Sequence, residues 1–266
     1  MLSLSQINLF PIKSLGGTSQ NSVRLTDRGL ENDRRRMLVD QNGKFLTQRT
    51  HPVMSQLLVS IQGNNLHVCD RRGSDTTVIP MIADQWRPVR VTIFADTCDA
   101  LAYPKGISDW FSQRIGESCE LVYMPDDSNR PIDPKLSTNN EQFSFADGCQ
   151  VLIVGEASLA DLNARLEKSV TMDRFRPNLV FSGGESFEED TWKRIRIGNS
   201  EFTAAMPCAR CVLTTVDPVS GETGKEPLKT LASYRKQEDG VMFGQNLLHG
   251  AEGEVCVGDK IEVLES

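Results

Sequence analysis

The chain has 266 residues, of which 39% are apolar and 24% charged, an ordinary globular composition long enough for one large domain or two small ones. A net charge of −7 excludes a general nucleic-acid binder, which needs a broad basic surface, but leaves room for a small basic anion pocket. Seven scattered cysteines, an odd number, give no disulfide framework, and no apolar run is long enough to span a bilayer. The N-terminal stretch MLSLSQINLFPIKSL lacks a basic leader region, so no signal peptide is expected. The reducing cytoplasm is the expected compartment, with the thiols free, metal-bound or redox-active.

In chain order, Arg36 to Asp40 and Lys44 to Gln48 flank an Asn42-Gly43 turn and predict a hairpin. Gln56 to Gln62 and Asn65 to Cys69 predict a second, and Val89 to Phe94 alternates as a strand. Ile107 to Ile115 repeats apolar residues at helical spacing, with Gly116 as its stop. Pro125 to Asn140 is polar and rich in proline and asparagine, which predicts a long loop or linker between two halves. Beyond it, Gln150 to Val154, Asn178 to Ser182, Arg194 to Ile197, Val212 to Val216 and Lys260 to Leu264 predict strands. Glu156 to Lys168 predicts a helix with Ser158 and Asp161 as a capping box, and Pro227 to Tyr234 a helix with proline at its first position. Helices do not alternate with strands, so a doubly wound sheet is excluded in favour of a β-rich α+β fold built on barrels.

Cys208 and Cys211 form a C-x-x-C with four possible uses. A structural zinc needs four ligands, and His51, His67 and His249 stand at no partner spacing. A thioredoxin-like pair sits at a helix start, whereas Val-Leu-Thr-Thr-Val after this one favours a strand. A soft metal such as molybdenum can take one protein thiolate and its other sulfurs from an organic cofactor, with Arg210 lowering the thiol pKa if it faces the same pocket. Or both cysteines are simply small buried hydrophobes.

The wider stretch Pro207-Cys208-Ala209-Arg210-Cys211-Val212-Leu213-Thr214-Thr215-Val216-Asp217-Pro218, followed by Gly221-Glu222, closely resembles the signature of MOSC-domain proteins, named for the C-terminal domain of molybdenum cofactor sulfurase. Other segments agree in order. Phe10-Pro11-Ile12-Lys13-Ser14 looks like the start of the MOSC N-terminal β-barrel domain, and Asp33 to Val39 like its basic strand. Glu156 to Asn163, Arg174 to Asn178, Phe243-Gly244-Gln245 and Val257-Gly258-Asp259 resemble later family elements. The resemblance is nearest to bacterial YcbX-like proteins and mitochondrial amidoxime-reducing components. It implies an N-terminal β-barrel-like domain over 1–124, packed on a MOSC β-barrel over 125–266 with a few peripheral helices.

The resemblance further implies a molybdenum–molybdopterin cofactor, with Cys211 as catalytic metal ligand and Cys208 packed beneath it. Lys13 and Ser14 would contact the phosphate. Arg34, Arg35 and Arg36 form a basic cluster in which strand alternation lets one face serve the pocket, and alignment on Leu38-Val39 selects Arg35. Arg176 and Asn178 would suit the polar edge of the pterin, with Arg210 and Cys149 as further cofactor contacts. At Gly148 and Cys149 some relatives carry hydroxyl residues, so contact there would use backbone N–H groups or the thiol. Asp217 could deliver protons but, with Pro218 after it, better suits the start of a turn before Ser220-Gly221. The implied activity is a two-electron, detoxifying reduction of N-hydroxylated small molecules, with a sulfur carrier or a cofactor-delivery module as rivals. No cysteines show the plant-type C-x₄-C-x₂-C spacing, so no iron–sulfur cluster is expected in this chain. Electrons would come from a separate flavoprotein or iron–sulfur partner, and neither nucleic acid nor membrane is an expected partner.

Overall fold

The computed structural model describes residues 1–73, 75–137 and 141–266. The first strands are β1 (Ser3–Leu9), β2 (Thr18–Gln20), β3 (Ser22–Thr26), β4 (Gly29–Leu30) and β5 (Arg36–Val39). A meander follows, β6 (Leu57–Gln62), β7 (Asn65–Asp70) and β8 (Thr76–Pro80), then the hairpin β9 (Arg87–Ile93) and β10 (Asp96–Ala102), helix α1 (Lys105–Ile115) and β11 (Glu120–Tyr123). The later half runs β12 (Val151–Gly155), α2 (Glu156–Arg165), β13 (Leu179–Ser182), β14 (Arg194–Ile197), β15 (Ser200–Arg210) and α3 (Leu228–Ala232). It closes with β16 (Lys236–Gln237), β17 (Gly240–His249), β18 (Gly253–Cys256) and β19 (Ile261–Glu265).

The result is the β-rich α+β fold that the sequence predicts. A nine-stranded sheet has the order β19-β14-β15-β17-β12-β13-β1-β2, with β16 on β17. Its β12–β13 pair is parallel and α2 is the crossover that parallel pairing requires. Smaller sheets run β5-β11-β10-β9, β6-β7-β8 and β18-β3-β4. Alternating burial explains the meander: Leu57, Val59, Leu66 and Val68 face a core shared with Phe111 of α1, and their neighbours face out. A second core lies under the large sheet, around Ile7, Ile153, Leu179 and Phe202. Among the described residues no helix is long and apolar enough to cross a membrane.

Strand pairing crosses the expected division at 124/125. β1 pairs with β13 and β3 with β18, so the first 30 residues are hydrogen-bonded into the later half. The segment from Pro125 is also no free linker. Buried Arg28 donates to the carbonyls of Asp126 and Ser128, at 2.7 and 2.6 Å, and Arg130 and Ile132 are themselves buried. Thr138 to Asn140, the end of that predicted linker, lie outside the described residues.

Several local expectations change. Lys44 to Gln48 forms only isolated bridges, Val39 to Phe45 and Lys44 to Thr92, although Gly43 makes the turn at φ +75°. Helix α1 stops where predicted, with Gly116 left-handed at φ 80°. Helix α2 ends at Arg165 and has no capping box, because the Ser158 hydroxyl bonds the buried Glu189 carboxylate instead. Only Leu228–Ala232 is α-helical after Pro227, which takes the cap position. Val212–Thr215 is a 3₁₀ turn rather than a strand. The hydroxyls of Thr214 and Thr215 donate to the carbonyls of Cys211 and Val212, at 3.0 and 2.8 Å, and these local bonds replace ladder bonds.

Candidate active site

The site is a cleft where irregular ends of several strands meet. After β1, the Lys13 N–H bonds the Arg36 carbonyl at 2.8 Å and the chain turns through Ser14 at φ 65°. Before β5, the Arg34 N–H bonds the Phe10 carbonyl at 2.9 Å with Arg34 at φ 46°. The 3₁₀ turn Met172–Phe175 ends in Arg176 at φ 55°, and β15 delivers Cys208 and Cys211. Six non-glycine residues among those described have left-handed φ, and three of them, Ser14, Arg34 and Arg176, line this cleft. Such conformations cost about 1–3 kcal/mol each and cluster where side chains must be aimed.

The cleft brings together Lys13, Ser14, Cys149, Arg176, Asn178, Arg210 and Cys211. It does not include Arg35. That guanidinium turns away to the Met124 carbonyl at 2.6 Å and the Asp126 carboxylate at 2.6 Å, and packs on Tyr123. Arg34 occupies the cleft instead, bonded to the Asp33 carboxylate at 2.6 Å and the Asn178 side-chain oxygen at 2.9 Å. Alignment on Leu38-Val39 selects Arg35, but regular strand begins only at Arg36, which is buried and donates to the Tyr103 hydroxyl at 2.8 Å, so strand alternation does not set the direction of Arg34 or Arg35. Asn178 is also used up within the protein: its oxygen takes Arg34 and the Leu152 N–H, and its nitrogen donates to the Asn8 carbonyl at 3.2 Å. It positions Arg34 and leaves little amide to offer a ligand.

Lys13 is 5% exposed in its side chain and donates to the Phe145 carbonyl at 2.7 Å and to the Asp147 carboxylate. Burial pushes its ammonium down to about 8, against the pull of Asp147. Desolvation alone would raise the Asp147 carboxyl, but the Lys13 charge and hydrogen bond, with Arg34 and Arg49, outweigh it and hold the group at about 2. That carboxylate is 62% exposed, so the neighbouring cations are the dominant influence on it. Burial, with Arg34 nearby, pushes Arg176 down to about 9, which leaves it cationic at neutral pH. Arg176 donates to the Leu15 carbonyl at 2.6 Å, and both Arg34 and Arg176 stack on the Phe10 ring, at 4.5 and 4.1 Å from its centre. Lys13, Arg34, Arg176 and Arg210 thus face one lining carboxylate, a built anion site in an acidic protein.

These shifts set a pH dependence. Anion binding is expected to weaken as pH rises through about 8, where Lys13 loses its proton, and Lys13→Arg should extend binding to higher pH. Titrating sulfate affinity from pH 6.5 to 9.5 checks this, and a flat wild-type profile would refute it. For folding the sign is opposite. Between about 8 and 10.5 the unfolded chain keeps the Lys13 proton that the folded chain has released, so this group makes stability rise with pH. The Asp147 contribution is complete above 3.8 and is lost as pH falls through about 2.

The sulfurs divide into three environments. Cys211 is exposed and stands at the start of the 3₁₀ turn, its backbone at φ −117°, ψ −179°. Cys208 is partly buried against an apolar cluster with Phe175 and Phe243, and its sulfur accepts from Arg210 at 2.9 Å. Arg210 therefore serves Cys208 rather than Cys211, with its other nitrogen on the Phe175 carbonyl at 2.6 Å. Cys149 is buried, donates to the Leu247 carbonyl at 3.4 Å, and burial pushes its thiol up to about 12. It contributes a protonated thiol to the wall, not a thiolate. Asp217 accepts the N–H groups of Val219 and Ser220 and pairs with Arg174 at 2.6 Å, so it makes the turn and is held ionised.

Among the described residues no three His, Cys, Asp or Glu side chains converge as a metal cage. The chain offers one exposed thiol beside a cluster of cations. That donor set fits a metal whose remaining ligands come from an anionic cofactor. Two further observations agree: the Arg210 Nε is buried with no partner among the described residues, and at Gly148 a side chain would meet nothing nearer than 3.5 Å, which leaves room in the wall. Sequence reasoning missed Arg34 and Asp147. The signal available for Asp147 was an acid directly before a glycine ahead of the strand β12.

Comparison with known proteins comes to the same place. Residues 1–118 match the MOSC N-terminal beta barrel domain and residues 140–262 the MOSC domain. The chain is 32% identical over 279 residues to mitochondrial amidoxime reducing component 2 of Rattus norvegicus, covering 97% of this chain and 82% of that one. It is 30% identical to mitochondrial amidoxime-reducing component 1 of Homo sapiens, covering 98% and 83%. It is 31% identical to molybdenum cofactor sulfurase of Oryza sativa subsp. japonica, covering 98% of this chain but only 35%, about a third, of that protein.

Proposed function

Because this chain belongs to the MOSC family and carries the MOSC N-terminal beta barrel domain ahead of the MOSC domain, we propose that it is a molybdenum-cofactor-dependent reductase of N-hydroxylated small molecules. The observation that carries the proposal is the exposed Cys211 thiol in the same cleft as Lys13, Arg34 and Arg176. The names of the mitochondrial relatives, amidoxime-reducing components, support the substrate class. When bound, a molybdenum–pterin group would supply two-electron exchange, by which an N–OH and two protons become N–H and water.

The chain's own residues hold and orient. Cys211 would be the single protein ligand, with its direction fixed by the 3₁₀ turn whose first carbonyl accepts from Thr214. Lys13, Arg34 and Arg176 would take the phosphate by charge-assisted hydrogen bonds, worth about 1.5–3 kcal/mol each. Asn178 and Asp33 fix the Arg34 guanidinium before any ligand arrives, which lowers the ordering cost of binding. Cys208 and Arg210 brace the strand end beneath the site. Electrons would be delivered by a separate flavoprotein or iron–sulfur protein.

The test is to purify the protein from a cofactor-competent host, assay molybdenum and pterin, and supply a hydroxylamine or amidoxime with an artificial reductant. Stoichiometric molybdenum with substrate turnover is expected. Labile sulfur without molybdenum would instead mark a sulfur carrier, and bound cofactor without turnover a delivery module.

A further inference from the structure

Asp147 is the one carboxylate among the lining residues of a cleft with four cations. The segment before it is pinned. The Arg130 guanidinium holds the carbonyls of Ser144 and Ala146 at 2.6 and 2.8 Å, and the Phe145 N–H bonds the Arg34 carbonyl at 2.9 Å. The Asp147 side chain itself is held less firmly. Among the described residues its carboxylate has a single hydrogen-bonded partner, Lys13; it is 62% exposed and is followed by a glycine whose Cβ position meets nothing nearer than the Met206 methyl at 3.5 Å. A side chain tethered in this way can leave Lys13 without disturbing the backbone that places Lys13.

We propose that Asp147 is the cleft's displaceable counter-ion, an internal competitor that an anionic headgroup must evict from Lys13 in order to bind. This rests on the assignment of the cleft as an anion cradle. A tethered carboxylate competes at an effective concentration of about millimolar or higher. Every anion therefore meets the same threshold. A monoanion held at one point falls below it, while a phosphate ester, carrying about −1.5 to −2 charges and three acceptor oxygens, clears it by also reaching Arg34 and Arg176. Asp147 thereby keeps abundant small anions out of the cleft.

The opposite role is equally definite: if Asp147 served to preorganise Lys13, its loss would weaken binding. The experiment measures sulfate and phenyl phosphate affinity calorimetrically at pH 6 for the full chain free of cofactor, comparing wild type, Asp147→Asn, Lys13→Gln and the double variant. Asp147→Asn is expected to tighten both ligands about tenfold or more, and that gain should shrink below threefold in the Lys13→Gln background. Unchanged or weaker binding, or an equal gain without Lys13, overturns the proposal. A wild-type measurement is independent of how the variants fold. Saturation with phenyl phosphate should shift the Asp147 carboxyl-carbon resonance, and an unmoved resonance also overturns it. Because the readout is anion binding, a chain that carried no molybdenum would defeat the reductase assignment without touching this result.

Discussion

Replacing Cys211 with serine is expected to remove molybdenum from the purified protein and abolish reductase turnover while the fold survives. Loss of an outer partner of a metal ligand already costs about 10–100-fold, so loss of the ligand itself should cost more than about 100-fold. A serine hydroxyl is a hard donor and stays protonated at neutral pH, so it does not replace a thiolate on a soft metal. The fold should be indifferent because the Cys211 side chain is exposed and its sulfur bonds none of the described residues, which places the stability change within about 0.5 kcal/mol. Cys208→Ser is the matched control: it lies against the Phe175 and Phe243 cluster and should lose some stability yet retain metal. Metal analysis with a thermal melt on each variant decides the matter. A Cys211→Ser protein with full molybdenum content would end the ligand assignment.

The largest effect on stability is expected away from the chemistry, at Arg130. Its side chain is 2% exposed, lies over the Phe143 ring at 3.9 Å, pairs with Asp96 at 3.0 Å and caps the carbonyls of Ser144 and Ala146. Arg130→Ala leaves two carbonyls and a carboxylate without their donor and opens a cavity beside an aromatic ring. The expected loss is about 3–5 kcal/mol. At roughly 2–4 °C per kcal/mol for a chain of this size, the midpoint should fall by about 6–20 °C. Arg130→Lys should recover little, since an ammonium lacks the planar fork that spans Asp96 and both carbonyls. Urea denaturation of the three proteins measures this, and a loss below 1 kcal/mol in the alanine variant would refute the role. Anion affinity should fall with it, because the same carbonyls fix the backbone on which Lys13 and Asp147 meet.

Arg130 sits in the segment whose prolines and polar residues predict a linker. Composition gave the right local answer, since the described part of that segment has little regular structure. It gave no warning that Ser128, Arg130 and Ile132 would be buried. Burial there depends on Arg28 and on Asp96, about 100 and 34 residues away along the chain, and no local pattern encodes such partners. The same limit applies to the threonines after Cys211. Val-Leu-Thr-Thr-Val has strand propensity, but the two hydroxyls bond back to the preceding carbonyls and the ladder with β17 ends at Arg210.

What the sequence determined on its own is the set of features that act within a few residues: the Asn65-side hairpin of β6 and β7, the glycine stop after α1, the β-rich character, and the long motif around Cys208 and Cys211 that carries the family. The family resemblance also marked Lys13, Arg176 and Arg210 as cofactor contacts before their positions were known. The tertiary structure alone decided which member of the Arg34–Arg36 cluster enters the cleft, that Asn178 is spent on holding Arg34, and that Asp147 sits on Lys13. The physical reason is common to all three. Side-chain direction at these residues is set by left-handed turns and by hydrogen bonds spanning more than a hundred residues, where the period-two rule of a strand has no hold.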